Sequence, residues 1–244
     1  MMSESNLIWF EVIFNIAYLI AIWGIVILMT LHRDRVAPQD RRVAALGRWA
    51  FFLLALGDTG HVGFRVWAYA AGGLENTVTV AGRPVGLVGA GALATAVTVT
   101  FFYVLMLMIW QARYGKPYGW FGALLFAMAG LRLLLMIPAV NQWNSVTPPQ
   151  PWSIVRNLPL TIAGLGVAYL IVRDALAAHD RPFVWVGGLI ILSYAMYIPV
   201  ILFVQQAPMV GMLMIPKTLA YLGVAVVLWR SLYGRQPVVG AVVA

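Results

Sequence analysis

Apolar stretches of about 20 residues, the length a helix needs to cross a bilayer, recur from one end of this chain to the other. They fall at residues 7–30, 49–71, 87–111, 119–138, 154–172, 183–204 and 209–229. Together they use nearly all of the 244 residues, which leaves no segment for a soluble domain. Only 10% of the residues are charged, against about 25% in an ordinary soluble domain. Backbone polar groups in hydrocarbon must be satisfied within each segment, and helices do that. The expectation is an all-α integral membrane protein, a seven-transmembrane-helix bundle forming one domain over residues 1–244.

The basic residues predict its orientation. Arg33, Arg35, Arg41, Arg42 and Arg48 lie in the first connection, and Arg113 and Lys116 in the third. Arg173 and Arg181 lie in the fifth, and Arg230 and Arg235 in the tail. The alternate connections hold Arg83 and uncharged runs such as 141–150 and 205–211. By the positive-inside rule the N-terminus is outside and the C-terminus cytoplasmic, with the plasma (inner) membrane of a prokaryote as the expected location. The net charge of +8 follows from these anchors, which anionic lipid attracts. No folded basic surface is left for a duplex, so membrane lipids, not nucleic acid, are the expected partners. The oligomeric state stays open.

The chain has no cysteine, which removes disulfides, thiol nucleophiles and cysteine-based zinc sites. Residues 1–6 are acidic and no small-residue cleavage site follows the first apolar run, so 7–30 reads as a retained helix. Between the second and third spans, Thr77–Val80 alternates Thr-Val-Thr-Val before Arg83 and Pro84, which predicts a short outer β-hairpin. In the fourth connection, Trp143 and Trp152 read as anchors at the headgroup level. Gly57, Gly60 and Gly63, and Gly164 and Gly166, mark close helix approaches. Pro199 and Pro216 read as breaks inside the sixth and seventh helices, each freeing a carbonyl.

Against this background stand residues that hydrocarbon rejects: Glu11, Asn15, Asp58, His61, Arg65, Arg132, Arg156, Asn157, Tyr197 and Lys217. A charge near the bilayer centre costs at least about 2.5–3.5 kcal/mol, so such a set marks a functional cavity by default. Asp58, His61 and Arg65 share one face of the second helix; Glu11, Asn15 and Tyr18 share one face of the first. Lys217 sits one turn before Tyr221, Tyr194 and Tyr197 lie on the sixth helix, and Arg156, Asn157 and Thr161 on the fifth. Arg65, Arg132 and Lys217 lie at similar depth, roughly 0–8 Å to the outer side of their span midpoints. The competing explanation is a network of ion pairs that only locks the bundle. The cations Arg65, Arg132, Arg156 and Lys217 outnumber the acids Glu11 and Asp58 even if Arg156 snorkels to the headgroups, so an anion is called for. The expected ligand-binding set is therefore Glu11, Asn15, Asp58, His61, Arg65, Arg132, Arg156, Asn157, Tyr194, Tyr197 and Lys217. It should form a net-basic pocket open to the outer side.

Three uses of such a pocket compete. In the first it binds or translocates an anionic amphipathic small molecule or lipid, with arginines on the head and aromatic walls (Phe101, Phe102, Tyr103, Tyr194, Tyr197) along the tail. In the second, Lys217, one of two lysines in the chain, carries a chromophore. Seven helices, an outer N-terminus, a hairpin after the second helix, the lone membrane lysine and the run Tyr194-Ala-Met-Tyr-Ile-Pro199 together resemble the microbial rhodopsin architecture. That resemblance implies retinal on Lys217. The third helix, however, lacks the carboxylate that family keeps as counterion, no acid precedes Lys217 on the seventh, and Lys217 sits about one turn early. Asp58 or Glu11 would have to serve. In the third use, Asp58 and His61 form an acid–base pair for a membrane enzyme acting on lipid. No metal is expected, because His32 and His179 lie in cytoplasmic connections far from His61.

Overall fold

The computed structural model describes residues 4–80 and 82–234. Arg235 and the side chains of Glu11 and Arg83 lie outside the described residues. The described residues form seven α-helices: α1 (Glu4–Leu31), α2 (Arg41–Ala70), α3 (Leu87–Tyr114), α4 (Gly119–Leu135), α5 (Trp152–Ala177), α6 (Arg181–Phe203) and α7 (Met214–Leu232). Five helical stretches, Val12–Leu31, Leu87–Tyr114, Trp152–Ala177, Arg181–Phe203 and Pro208–Leu232, are long and apolar enough to cross a membrane. α4 is apolar but spans 17 residues. α2 has ample length at 30 residues, but its charges, among them Arg48, Asp58 and Arg65, keep it below that standard. The protein is thus a helical, membrane-embedded chain.

The strands among the described residues form the expected hairpin, β1 (Thr77–Val80) and β2 (Arg83–Gly86), antiparallel with Thr77 opposite Gly86 and Val80 opposite Arg83. Gly82, at φ +76°, takes the left-handed conformation that so tight a turn demands.

The helices neighbour one another in chain order, and α1 meets α7 to close the circuit. α2 lies most extensively against α3, which also reaches across to α5. Glycine permits that approach: a side chain at Gly57 would overlap the Thr98 hydroxyl, and one at Gly91 would come within 2.9 Å of the His61 Cα. Gly164 and Gly166 do the same for Tyr194 and Leu125, whereas Gly63 faces open space and is no contact point. One contiguous core draws on all seven helices, from Ile22 and Phe51 through Phe102, Leu125 and Val167 to Ile190 and Val224.

One proline expectation changes. α7 starts at Met214, after a 3₁₀ stretch over Pro208–Leu213, so Pro216 falls in its first turn. The N–H it lacks has no helical partner there, and no carbonyl is freed. The interior prolines are Pro199 in α6 and Pro159 in α5.

At the end of the bundle opposite the hairpin, acids gather the basic residues. Arg113 bridges Asp180 at 2.8 Å and Asp40 at 2.6 Å. Asp174, buried at 3% exposure, accepts from Lys116 at 2.7 Å, Arg173 at 2.9 Å and Trp110 at 2.8 Å. Tyr233 donates to the Ala44 carbonyl at 2.7 Å and draws the end of α7 onto the start of α2. Arg41, Arg113, Arg173, Arg181 and Arg230 therefore share one end.

Candidate functional site

The face of α2 that carries Asp58 meets α1 and α3. Tyr18, two turns beyond Glu11 on α1, is buried, and its hydroxyl donates to the Asp58 carboxylate at 2.7 Å. Thr95 on α3 donates to the Gly57 carbonyl at 2.7 Å, a contact that the bare Gly57 Cα makes room for. Trp23 donates to Thr59 at 2.9 Å, a second tie between α1 and α2. His61 has a buried Nδ1 with no hydrogen-bond partner and makes no hydrogen bond to Asp58, so the expected acid–base pair is not joined. Arg65 is half-buried one turn further on, close enough to act electrostatically on His61. Asn15 is half-buried and makes no hydrogen bond among the described residues.

Lys217 lies at the end of the first turn of α7, where the helix dipole disfavours a cation. Its ammonium leans on aromatic faces instead, 4.5 Å from the Tyr197 ring centre and 5.5 Å from that of Tyr221. Asp58 is within electrostatic reach of it, though the two form no ion pair. Around Lys217 the tyrosines interlock. Tyr221 and Tyr103 share a 2.7 Å hydrogen bond, Tyr194 donates to the Leu160 carbonyl at 2.9 Å, and Tyr197 donates to Asn157 at 3.2 Å. Asn157 is fixed in turn by its own bond to the Ser153 carbonyl at 2.8 Å. Of the expected aromatic walls, Phe101 is 43% exposed and points out of the bundle, since its neighbour Phe102 takes the inward position.

Arg132 is the least compensated of the cations. It is 3% exposed on α4, and its Nε and Nη1 are buried without a hydrogen-bond partner. Among the described residues it forms no ion pair. Its electrostatic neighbours are the hydroxyl-bearing rings of Tyr197, Tyr194, Tyr221 and Tyr103, with Lys217 and Arg156 adding further positive charge. A guanidinium taken from water without an acceptor is expensive, and an arriving anion would relieve that cost.

Arg156 reaches toward the hairpin end of the bundle. It donates to Asn141 at 3.3 Å and stacks 4.4 Å from the Trp143 ring centre, which anchors the connection between α4 and α5 over the hairpin end. Trp143 and Trp152, expected at the headgroups, spend their indole N–H on Met136 and Asn141, at 3.0 Å each. Asn144 ties the same connection to the hairpin through Gly86 and Pro84. Beneath it lies a pocket of about 50 Å³ lined by Val88, Gly89, Asn141, Trp143, Val146 and Arg156. A second gap, about 10 Å³, is apolar and lies between α3, α4 and α5. The pocket at the hairpin end therefore holds Arg156, not the expected Arg65, Arg132 and Lys217, because tyrosine rings fill the space beside Lys217.

The geometry adds Tyr18, Tyr221, Thr95 and Asn141 to the expected ligand-binding set and keeps Tyr103, expected as an aromatic wall. Tyr18 and Tyr221 were visible as turn-spaced neighbours of Glu11 and Lys217. Asn141, 1% exposed, carried no signal: its amide donates to the Leu135 and Pro138 carbonyls and its oxygen accepts from Trp152 and Arg156 of the following helix. No group of histidines, cysteines and acids suited to a metal occurs among the described residues. Comparison with known proteins brings no match, whether to family models, to curated proteins or to solved structures.

Proposed function

We propose that the chain crosses the membrane seven times with its N-terminus outside, and that its interior binds or carries an amphipathic anion held by Arg132. The observation that carries this reading is the Arg132 guanidinium, 3% exposed with Nε and Nη1 unpartnered. Such a group is stable in a bundle when an anion completes it, and arginine suits carboxylate and phosphate heads. Supporting it, Arg156 and Lys217 add positive charge nearby, and the hairpin-end pocket offers an approach from the outer face. The gathering of Arg41, Arg113, Arg173 and Arg181 at the opposite end supports the orientation.

Native mass spectrometry of protein extracted in mild detergent tests the reading. Wild type should retain an anionic amphiphile, Arg132→Gln should lose most of it, and Arg41→Gln, equal in charge change, should keep it. Equal retention by both variants would refute Arg132 as the anchor.

A further inference from the structure

The pocket at the hairpin end is assembled from three parts of the chain. The first turns of α3 supply Gly89 and Ala92, the connection between α4 and α5 supplies Asn141, Gln142 and Trp143, and α5 supplies Arg156. The connection is pressed onto α3: a side chain at Gly89 would overlap the Trp143 carbonyl, and Asn144 accepts from the Gly86 N–H at 3.1 Å. Arg156 is the cation of the lining, and no acid belongs to that lining among the described residues. Its partners, Asn141 and Trp143, are neutral, and among the described residues it forms no ion pair, so its charge is unanswered. The guanidinium edge carries N–H donors beyond the Nη1 that Asn141 engages at 3.3 Å. Gln142 lines the pocket as well, and its side chain makes no hydrogen bond among the described residues.

We propose that this pocket is a second anion site, which takes one small oxyanion, a carboxylate or phosphate group, on Arg156 and Gln142. Charge selects the sign, because the lining offers a cation held by neutral groups. The first turn of α3, which forms one wall, adds the positive end of its helix dipole. Size selects the group. About 50 Å³ admits roughly three to five water-sized groups at about 10–15 Å³ each, the size of a carboxylate or phosphate, and leaves no room for a hydrocarbon chain. Guanidinium geometry suits those groups, whose oxygens accept paired N–H bonds from one edge. The site is separate from Arg132, which is buried on α4 and lines no part of this pocket, although its charge reaches Arg156. It therefore stands whether or not Arg132 binds an anion.

Site-resolved arginine modification tests the proposal on the full chain in phosphatidylcholine nanodiscs. Phenylglyoxal, a neutral dicarbonyl, adds to free guanidinium groups, and peptide mass spectrometry reads Arg156 against the exposed Arg41 in the same sample. Inorganic phosphate is compared with sodium chloride at equal ionic strength. At about ten times its dissociation constant an occupant leaves about a tenth of the sites free, so modification of Arg156 should fall about tenfold while that of Arg41 scarcely changes. Discs that include phosphatidic acid, with no phosphate added, separate the sources. Protection by added phosphate in plain discs marks a soluble anion, and protection only with phosphatidic acid marks a lipid headgroup. Equal protection of Arg156 and Arg41, protection in neither disc, or an Arg156 inert to the reagent without any anion would overturn the site and leave Arg156 as an anchor of the connection. These comparisons use the wild type and need no variant to fold. Ala92→Leu, which fills the pocket, should abolish the protection and leave Arg156 reactive; protection that persists would place the anion outside the pocket. Arg132→Gln should keep the protection, and its loss would assign the anion to Arg132 rather than to a second site.

Discussion

Tyr18 and Asn15 occupy the same stripe of α1, yet they differ in what they do. Tyr18 caps the Asp58 carboxylate at 2.7 Å, and Asn15 bonds to nothing among the described residues. Removing a hydroxyl donor from a buried carboxylate costs about 1–2 kcal/mol, even allowing for the modest hydrogen bonds measured within membranes. Tyr18→Phe should therefore lower the thermal midpoint clearly, whereas Asn15→Ala should leave it nearly unchanged, both followed by unfolding in the same detergent. The stripe itself was legible from residue spacing. Which member of it finds a partner was not, because that depends on the rotation of α1 against α2.

At the scale of elements, glycine separates two kinds of position that look alike in sequence. Gly57 and Gly63 belong to one three-residue repeat, but only Gly57 lies where a Cβ would meet α3. Gly57→Val should destabilise the protein by about 1–3 kcal/mol through overpacking. Gly63→Ala, set in open space, should be neutral or slightly stabilising. Most helix limits were legible because hydropathy and length constrain them, but two starts were not: α2 begins at Arg41, well before the apolar span at 49, and the 3₁₀ stretch over Pro208–Leu213 before α7 is as apolar as the helix. The charge network at the basic end was hidden for another reason. Arg113 and Lys116 read as lipid anchors, while the acids that hold them lie 58 to 73 residues away in sequence. Asp174 ties α3 to α5 there, so Asp174→Asn should cost about 2–3 kcal/mol of stability, measured by the same unfolding assay.

For the whole molecule, the absence of cysteine makes topology directly measurable, because single cysteines can be introduced without a background. Glu75→Cys and Gln205→Cys, at the hairpin end, should react with a membrane-impermeant maleimide in intact cells. His32→Cys and His179→Cys should react only after permeabilisation. Labelling of both pairs from one side would contradict the proposed crossing of α2, whose charges make it the least apolar of the long helices. Those charges are also why a polar interior could be anticipated from sequence, while its pairing could not: the surplus of cations was countable, but that Nε and Nη1 of Arg132 lack acceptors emerges only from the packing of the helices. An experimental density map of the protein in native lipid at side-chain resolution tests that central point most directly. We expect density for an anionic group within hydrogen-bonding distance of Nε and Nη1 of Arg132. An Arg132 closed onto a carboxylate of the protein itself, with no added density beside it, would contradict the account.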